Sequence, residues 1–344
     1  MKAAYLTEQG TPEVLTYGDL PDPQPGPGQV LVRVRATALN HMDIWLRSGV
    51  GRAREFTEPF ILGGDVAGEI ASLGEGADDL AVGDRVLIDP GFPDRTCDAC
   101  LSGRTNLCDA YQLMGLHLNG GYAEFVAVST TNVHTIPNTL SMEQAAAIPL
   151  TTATAYHMLV TRAGLRPGQR VLVQAAGSGV GVAAIQIAKA LGAWVVTTAG
   201  SDEKVAKGLE LGADLGINYR TQPAFSEPVR EATDGAGVDI VVDHIGPATF
   251  DENLKSLKRG GHLVNCGRTT GETTELNLFG LLMSQQTIHG SFMGTQAETV
   301  EWMRLVRDGH ISGIVGETFP LADAAGAHHR MESRDFFGKL VLVP

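Results

Sequence analysis

The rhythm of apolar and polar positions changes near Pro149. Before it, short β-type runs at residues 30–35, 66–71, 85–89 and 123–128 are separated by glycine and proline, including PDPQPGPG at 21–28. Short runs punctuated in this way predict a twisted antiparallel or barrel-like domain. After Pro149, short apolar runs alternate with stretches of helical period, which predicts βαβ units on a parallel sheet. Strands are expected at 170–174, 194–198, 215–218, 238–242, 261–266 and 287–290, enough for a doubly wound sheet. A helix is expected over 297–308, followed by a β-type end at 339–343 that can return to the first domain.

The first βα turn carries the first chemistry. VLVQ at 171–174 runs into AAGSGVG at 175–181, and AAIQIAKALGA at 183–193 continues with helical period. Glycines let the backbone approach a pyrophosphate, and the helix N-terminus offers unpaired N–H groups and a positive dipole end. Gly177, Ser178, Gly179, Val180 and Gly181 are therefore read as a dinucleotide cradle. An acid at the end of the second strand marks NAD preference, but that place is Ala199-Gly200-Ser201. Ser201, Lys204, Tyr219 and Arg220 are candidates for a 2′-phosphate, so NADPH is expected over NADH. Asp202 falls after the strand, where a helix N-terminus accounts for it.

Length and composition narrow the class. At 344 residues the chain exceeds what one core usually organises, so two domains are expected. A formal charge of -13 argues against nucleic acid and anionic membranes as partners. MKAAYLTEQG lacks the apolar core of a signal peptide, and no apolar run approaches the ~20 residues of a membrane helix, so a cytoplasmic location is expected. Cys97, Cys100 and Cys108 crowd into one segment while Cys266 lies apart, which argues for metal rather than disulfides.

The motifs LNHMDIWLRSG (39–49), ILGGDVAGEI (61–70), VGDRV (82–86), GGYAEF (120–125), AAAIPLTTATAY (145–156) and FGKLVLV (337–343), with the cysteine segment and the cofactor turn, span the chain. In them the sequence resembles the medium-chain dehydrogenase/reductase superfamily, in its zinc-type alcohol dehydrogenase and quinone-oxidoreductase-like branches. The resemblance implies an α/β protein: a GroES-like, β-rich catalytic domain from residues 1–149 and 291–344, and an inserted doubly wound Rossmann domain from 150–290. It implies that His244 and Gly267 line the nicotinamide and that His41 and Lys339 face the pyrophosphate. It also implies a homodimer or homotetramer, and a small-molecule substrate in a pocket shaped by Trp45, Leu46, Ile61, Phe92, Phe292 and Met293.

The resemblance breaks at the catalytic metal. Positions matching the zinc ligands are Asn40, Gly64 and Leu150, none a good ligand, and Met42 replaces the hydroxyl that usually relays the alcohol proton. Without a Lewis acid, oxidation of an unactivated alcohol is disfavoured, whereas reduction of α,β-unsaturated carbonyls or quinones remains feasible. Asn40 is a candidate donor to a developing enolate oxygen, and Asp43, His117 and Tyr122 are further catalytic candidates. A metal held instead by Asn40, His41, Asp43 or His117 is the alternative. The family's structural zinc binds four cysteines; here Asp94-x2-Cys97-x2-Cys100-x7-Cys108 keeps the spacing with one ligand changed, and carboxylate oxygen is an acceptable ligand. Two other functions stay open: an alcohol dehydrogenase or aldehyde/ketone reductase using side chains in place of metal, and a non-catalytic nucleotide-binding protein.

Overall fold

The computed structural model describes residues 1–50 and 54–344. It divides into two units, Met1–Leu150 with Ser312–Pro344, and Thr151–Ile311. In the first, strands β1 (Gln29–Ala38), β2 (Asp65–Leu73), β3 (Arg85–Ile88), β4 (Phe125–Ser129) and β5 (Val133–Thr135) join two C-terminal strands, Val315–Pro320 and Lys339–Val343. The order is β5-β3-β2-β1, then Lys339–Val343, then Val315–Pro320, with β4 also on β1. Side chains alternate across a strand, so Val30, Val32 and Val34 of β1 point to one side, where they pack with Val66, Ile70, Val86, Ile88, Val126 and Val128. A second core gathers Leu6, Leu39, Leu62, Tyr122, Leu340 and Leu342 under the helix Ala324–Ser333.

The expected return of residues 339–343 is present: Val341 lies opposite Ala38 and Leu342 opposite Thr37, antiparallel to β1. Helix α1 (His41–Ser48) follows β1 directly. Asn40 occupies its N-cap, with Asp43 three residues on closing a capping box, so the turn between strand and helix is locally specified.

The second unit holds β6 (Arg170–Val173), β7 (Trp194–Ala199), β8 (Leu215–Asn218), β9 (Val238–Asp243), β10 (Leu257–Asn265) and β11 (Thr287–Gly290). Their order, β8-β7-β6-β9-β10-β11, is parallel throughout. That order reverses between β7 and β9 on either side of β6, which makes the carboxyl ends of these strands a ligand-binding edge. Helices α2 (Gly179–Ala190) and α3 (Asp202–Glu210) follow β6 and β7. β10 begins four residues earlier than expected because its start, Lys258-Arg259-Gly260, carries no apolar signal.

The second unit also runs on to Ile311, past the expected end at Gly290. The reason is the helix Gln296–Arg307, which buries Trp302, Met303 and Val306 and whose Glu298 accepts from His157 at 3.0 Å. The last strand was a misleading place to end the unit. Among the described residues no helix is long and apolar enough to cross a membrane.

Candidate functional site

The glycine turn folds as a strand-turn-helix, with its bends in unexpected places. Ala175 takes φ 53, a left-handed conformation. The amides of Ala175 and Ala176 are held by Thr198, at 3.2 Å to its Oγ1 and 2.8 Å to its carbonyl. Beneath the turn, Gln174 donates to Asn253 at 2.6 Å and accepts from the Thr198 hydroxyl at 2.6 Å. Ser178 is the N-cap of α2 and accepts from the Gly181 amide at 2.9 Å. A Cβ at Gly181 would lie 2.2 Å from the Ala175 carbonyl, so this glycine is required by close packing. Ser178 satisfies one first-turn amide, and the geometry of a helix start leaves those of Gly179 and Val180 facing outward from its N-terminus.

At the end of β7, Ser201 caps α3 by accepting from the Lys204 amide at 3.3 Å. Asp202 accepts from Asn218 at 2.7 Å, which places this acid in a role between strand and helix. Over Gly200 the space is filled from β8's end: a Cβ there would meet the Tyr219 hydroxyl at 2.6 Å and Arg220 Nε at 3.4 Å. Tyr219 and Arg220 thus converge beside Gly200, both reaching solvent. A phenol and a guanidinium over a neutral strand end form an anion-receptive corner.

The ends of β9 to β11 supply the other half. Asp243 is fully buried and accepts from the amides of Ile245 (3.0 Å) and Gly246 (3.1 Å), from Thr249, and from Asn265 (2.9 Å), fixing the loop that carries His244. Gly267 packs on the His244 backbone so closely that a Cβ would lie 2.4 Å from its carbonyl. Both ring nitrogens of His244 are buried with no partner, and burial, opposed by Asp243, holds the imidazole below its ordinary pKa. Unpaired buried polar atoms are costly, so an edge that strands them fits a polar ligand. The hydroxyl of Ser291, just beyond β11, is likewise buried and unpaired; it gave no motif signal, and only the strand order places it at this edge.

In the first unit the catalytic candidates are already committed to the fold. Asn40 Nδ2 donates to Asp65 at 2.9 Å and its Oδ1 accepts from Lys339 Nζ at 2.5 Å, so both ends of the amide are engaged and the expected enolate donor is not free. Lys339, expected at the pyrophosphate, is 5% exposed and paired with the fully buried Asp65 at 2.9 Å. An ammonium is compact enough to be enclosed, and the carboxylate beside it removes the cost of burying it alone. Asp65, whose other oxygen accepts from the Leu150 amide at 2.7 Å, was missed because it reads as one more polar residue in GGDVAG. Beside it a Cβ on Gly64 would lie 2.5 Å from Met42, 3.1 Å from the Met114 carbonyl and 3.7 Å from Leu150, so positions 42, 64 and 150 do converge, with no thiolate or imidazole among their side chains.

Asp43 is also out of reach of substrate, with no exposure. It accepts from the amides of Asn40 (2.7 Å) and Gly63 (3.1 Å) and from Tyr122 (3.5 Å), and burial pushes its carboxyl up to about 7. Tyr122 is fully buried core. His117 is a loop residue whose Nδ1 accepts from the Leu113 amide at 2.9 Å. His41 sits exposed at the first position of α1, tilted against Trp45. Of the expected pocket residues, Leu46 and Ile61 are core, Phe92 is partly buried, Met293 is buried, and Phe292 is exposed.

Among the described residues, one cluster has metal-binding geometry: the ligand atoms of Asp94, Cys97, Cys100 and Cys108 lie within 4.8 Å of one another. The edge of a tetrahedron of ~2.3 Å zinc–sulfur bonds is about 3.8 Å, so small shifts close the site. Cys97 caps the one-turn helix Asp98–Leu101 that holds Cys100, and Cys108 follows the turn Thr105–Leu107. Asp94 accepts from the amides of Thr96 (2.8 Å) and Cys97 (3.0 Å), bonds that hold its carboxyl well below the usual range. Burial, with Cys97 adjacent, pushes the Cys100 thiol up to about 12. Three thiols and a carboxylate this close together have the chemistry of a donor set for a divalent cation.

Two family models match this chain: the alcohol dehydrogenase GroES-like domain over residues 26–138 and the zinc-binding dehydrogenase domain over 179–308. An acryloyl-coenzyme A reductase of Sulfurisphaera tokodaii is 32% identical over 95% of both chains, and a quinone oxidoreductase of Pseudomonas aeruginosa is 33% identical over 100% of this chain and 99% of its own. A solved NAD-dependent alcohol dehydrogenase superposes with a TM-score of 0.96 at 43% identity, each chain fully covered. The strand order, the glycine turn and these full-length likenesses agree, and the chain belongs to the medium-chain dehydrogenase/reductase superfamily of NAD(P)-dependent oxidoreductases.

Proposed function

We propose that this protein is an NADPH-dependent reductase of activated double bonds or quinones, α,β-unsaturated carbonyl compounds above all, working without a catalytic zinc. The observation that carries the reading is the replacement of the ligand set: Asn40 is bound to Asp65 and Lys339, and Gly64 lies against Met42 and Leu150. No thiolate or imidazole stands there to hold a Lewis acid that would ionise an alcohol. A conjugated acceptor is already electrophilic and needs only hydride and a proton. The names of the similar acryloyl-coenzyme A reductase and quinone oxidoreductase are consistent with this class.

When bound, the dihydronicotinamide supplies the hydride. The amides of Gly179 and Val180 at the start of α2 hold its pyrophosphate. Tyr219 and Arg220, with Ser201 and Lys204, hold the 2′-phosphate beside the neutral strand end at Gly200. His244 and Ser291 place unpaired polar atoms at the nicotinamide end, and Asp243 keeps their loop rigid. Separately, Asp94, Cys97, Cys100 and Cys108 hold a structural zinc that pins a loop with little apolar content.

The second reading is an NAD-dependent alcohol dehydrogenase, favoured by the 43% identity to a solved enzyme of that name. One panel separates them: NADPH and NADH oxidation with enones, quinones, aldehydes and ketones, with metal measured on the same sample. Enone or quinone turnover with NADPH preferred supports the first reading. Turnover confined to simple carbonyls, or equal kcat/KM with NADH, overturns it.

A further inference from the structure

The first unit buries more ionisable groups than the proposed reaction uses. Asp43 on α1, Tyr122 on the loop before β4 and His328 on the helix Ala324–Ser333 are all fully buried. The Tyr122 hydroxyl lies 3.5 Å from Asp43 Oδ2 and 3.3 Å from His328 Nε2, and the His328 ring meets the Tyr122 ring edge-on. One hydroxyl faces a carboxylate on one side and, on the other, a ring nitrogen that donates or accepts according to its tautomer. The far nitrogen, His328 Nδ1, is buried with no partner. The charged and titratable groups around the three residues come from four elements: Lys339 from the C-terminal strand acts on Asp43, Asp65 from β2 acts on Asp43 and Tyr122, Arg47 of α1, itself paired with Glu332, acts on Tyr122 and His328, and His329 of the helix Ala324–Ser333 acts on His328.

We propose that Asp43, Tyr122 and His328 form a buried hydrogen-bonded chain whose direction of donation reverses with the protonation of Asp43, so that the tautomer of His328 and the anchoring of Asn40 and Gly63 change together. With Asp43 ionised, Tyr122 donates to its carboxylate, His328 donates from Nε2 to the Tyr122 oxygen, and Nδ1 is left as a bare lone pair. When Asp43 takes one proton from solvent, its O–H donates to Tyr122 and Tyr122 donates to His328 Nε2. The imidazole gives up its Nε2 proton to solvent and takes one from solvent at Nδ1, so the net gain of the chain is the one proton on Asp43. His328 stays neutral in both states, because burial and the nearby Arg47 hold its pKa down to about 3.

The carboxyl of Asp43 is also the acceptor for the Asn40 and Gly63 amides. A protonated carboxyl accepts more weakly than a carboxylate. Protonation therefore loosens the two backbone points that carry Asn40, hence the Asp65–Lys339 pair, and the Gly63-Gly64 turn. Burial that places Asp43 near neutrality puts this change in the working range of the protein. Asp43 is a positioning residue in this scheme, acting through Asn40 and Gly63.

The test is imidazole ¹⁵N NMR of the full-length protein from pH 5.5 to 8.5, with the His328 signals assigned by their loss in H328Q. In the wild type the two His328 nitrogens should exchange protonated and unprotonated character with a midpoint near 7. In Y122F, which keeps the ring and removes the link, the tautomer should be fixed across the range, and in D43N likewise. A folded core alone predicts no such response. A wild-type His328 that keeps one tautomer throughout, or a midpoint that survives in Y122F, overturns the proposal, and Y122F decides the matter if D43N does not fold.

Discussion

Removing the Lys339 ammonium tests whether the ion pair with Asp65 holds the first unit together. In Lys339→Met a side chain of similar length fills the space, while Asp65, with no exposure, loses its cation and keeps the Leu150 amide and Asn40 as partners. An uncompensated carboxylate in that position costs about 3–5 kcal/mol. At ~2–4 °C per kcal/mol for a body of this size, the transition of the first unit should fall by about 6–20 °C. Asp65→Asn with Lys339→Met removes both charges and should recover at least half of that loss, since the amide still accepts from Leu150 and no buried ion remains. Scanning calorimetry on the four proteins of the cycle measures the coupling. A single-variant shift below ~2 °C, or a double variant no better than Lys339→Met, would refute the claim that a buried charge pair organises this site.

Arg220→Ala should raise KM for NADPH about 10-fold, the ~1.4 kcal/mol of one charge-assisted hydrogen bond, and leave KM for NADH unchanged; equal effects on both would remove Arg220 from 2′-phosphate recognition. Protein prepared without chelator should carry about one zinc per chain by elemental analysis, and Cys108→Ser should carry far less; a zinc-free wild type would count against the site. Stability against pH should show two opposed slopes. His328, held down to about 3, contributes stability that is present above its ordinary pKa near 6.5 and is lost as pH falls below it; Asp43, raised to about 7, contributes stability that is present below its ordinary pKa near 4 and is lost as pH rises toward 7. His328→Gln should therefore remove the acid-side loss, on the order of 3 kcal/mol by pH 4.5, in chemical denaturation compared with wild type, and parallel curves for the two proteins would contradict it.

The parallel sheet was legible because buried strands read as continuous apolar runs bounded by helical period, and β6 to β9 and β11 lie within a residue of expectation. The glycine turn was legible for the same reason, although its left-handed residue is Ala175, which no glycine pattern marks. The resemblance put the zinc-ligand positions at Asn40, Gly64 and Leu150 and the proton-relay position at Met42, and Gly64 does lie against Met42 and Leu150. What filled that place was not legible. Lys339 and Asp65 stand 274 positions apart, and only the pairing of the C-terminal strand with β1 brings them together. His117 in its loop and Asp43 in the first turn of α1 looked catalytic because titratable side chains look alike in sequence, whether they bond the backbone or face a substrate.

Because the strand Lys339–Val343 lies beside Thr37 and Ala38, the first unit is stitched from segments far apart in the order of synthesis. On a ribosome every residue of the second unit, through Ile311, is made before that strand exists, so the Rossmann sheet closes while the older half of the chain still waits for its last neighbour. During that interval β1 presents unpaired backbone at its end and Asp65 has no cation. A nascent chain stalled or cut after Ile311 therefore exposes a sheet edge and a buried-type carboxylate together, the condition under which chaperone capture or strand-to-strand aggregation is expected.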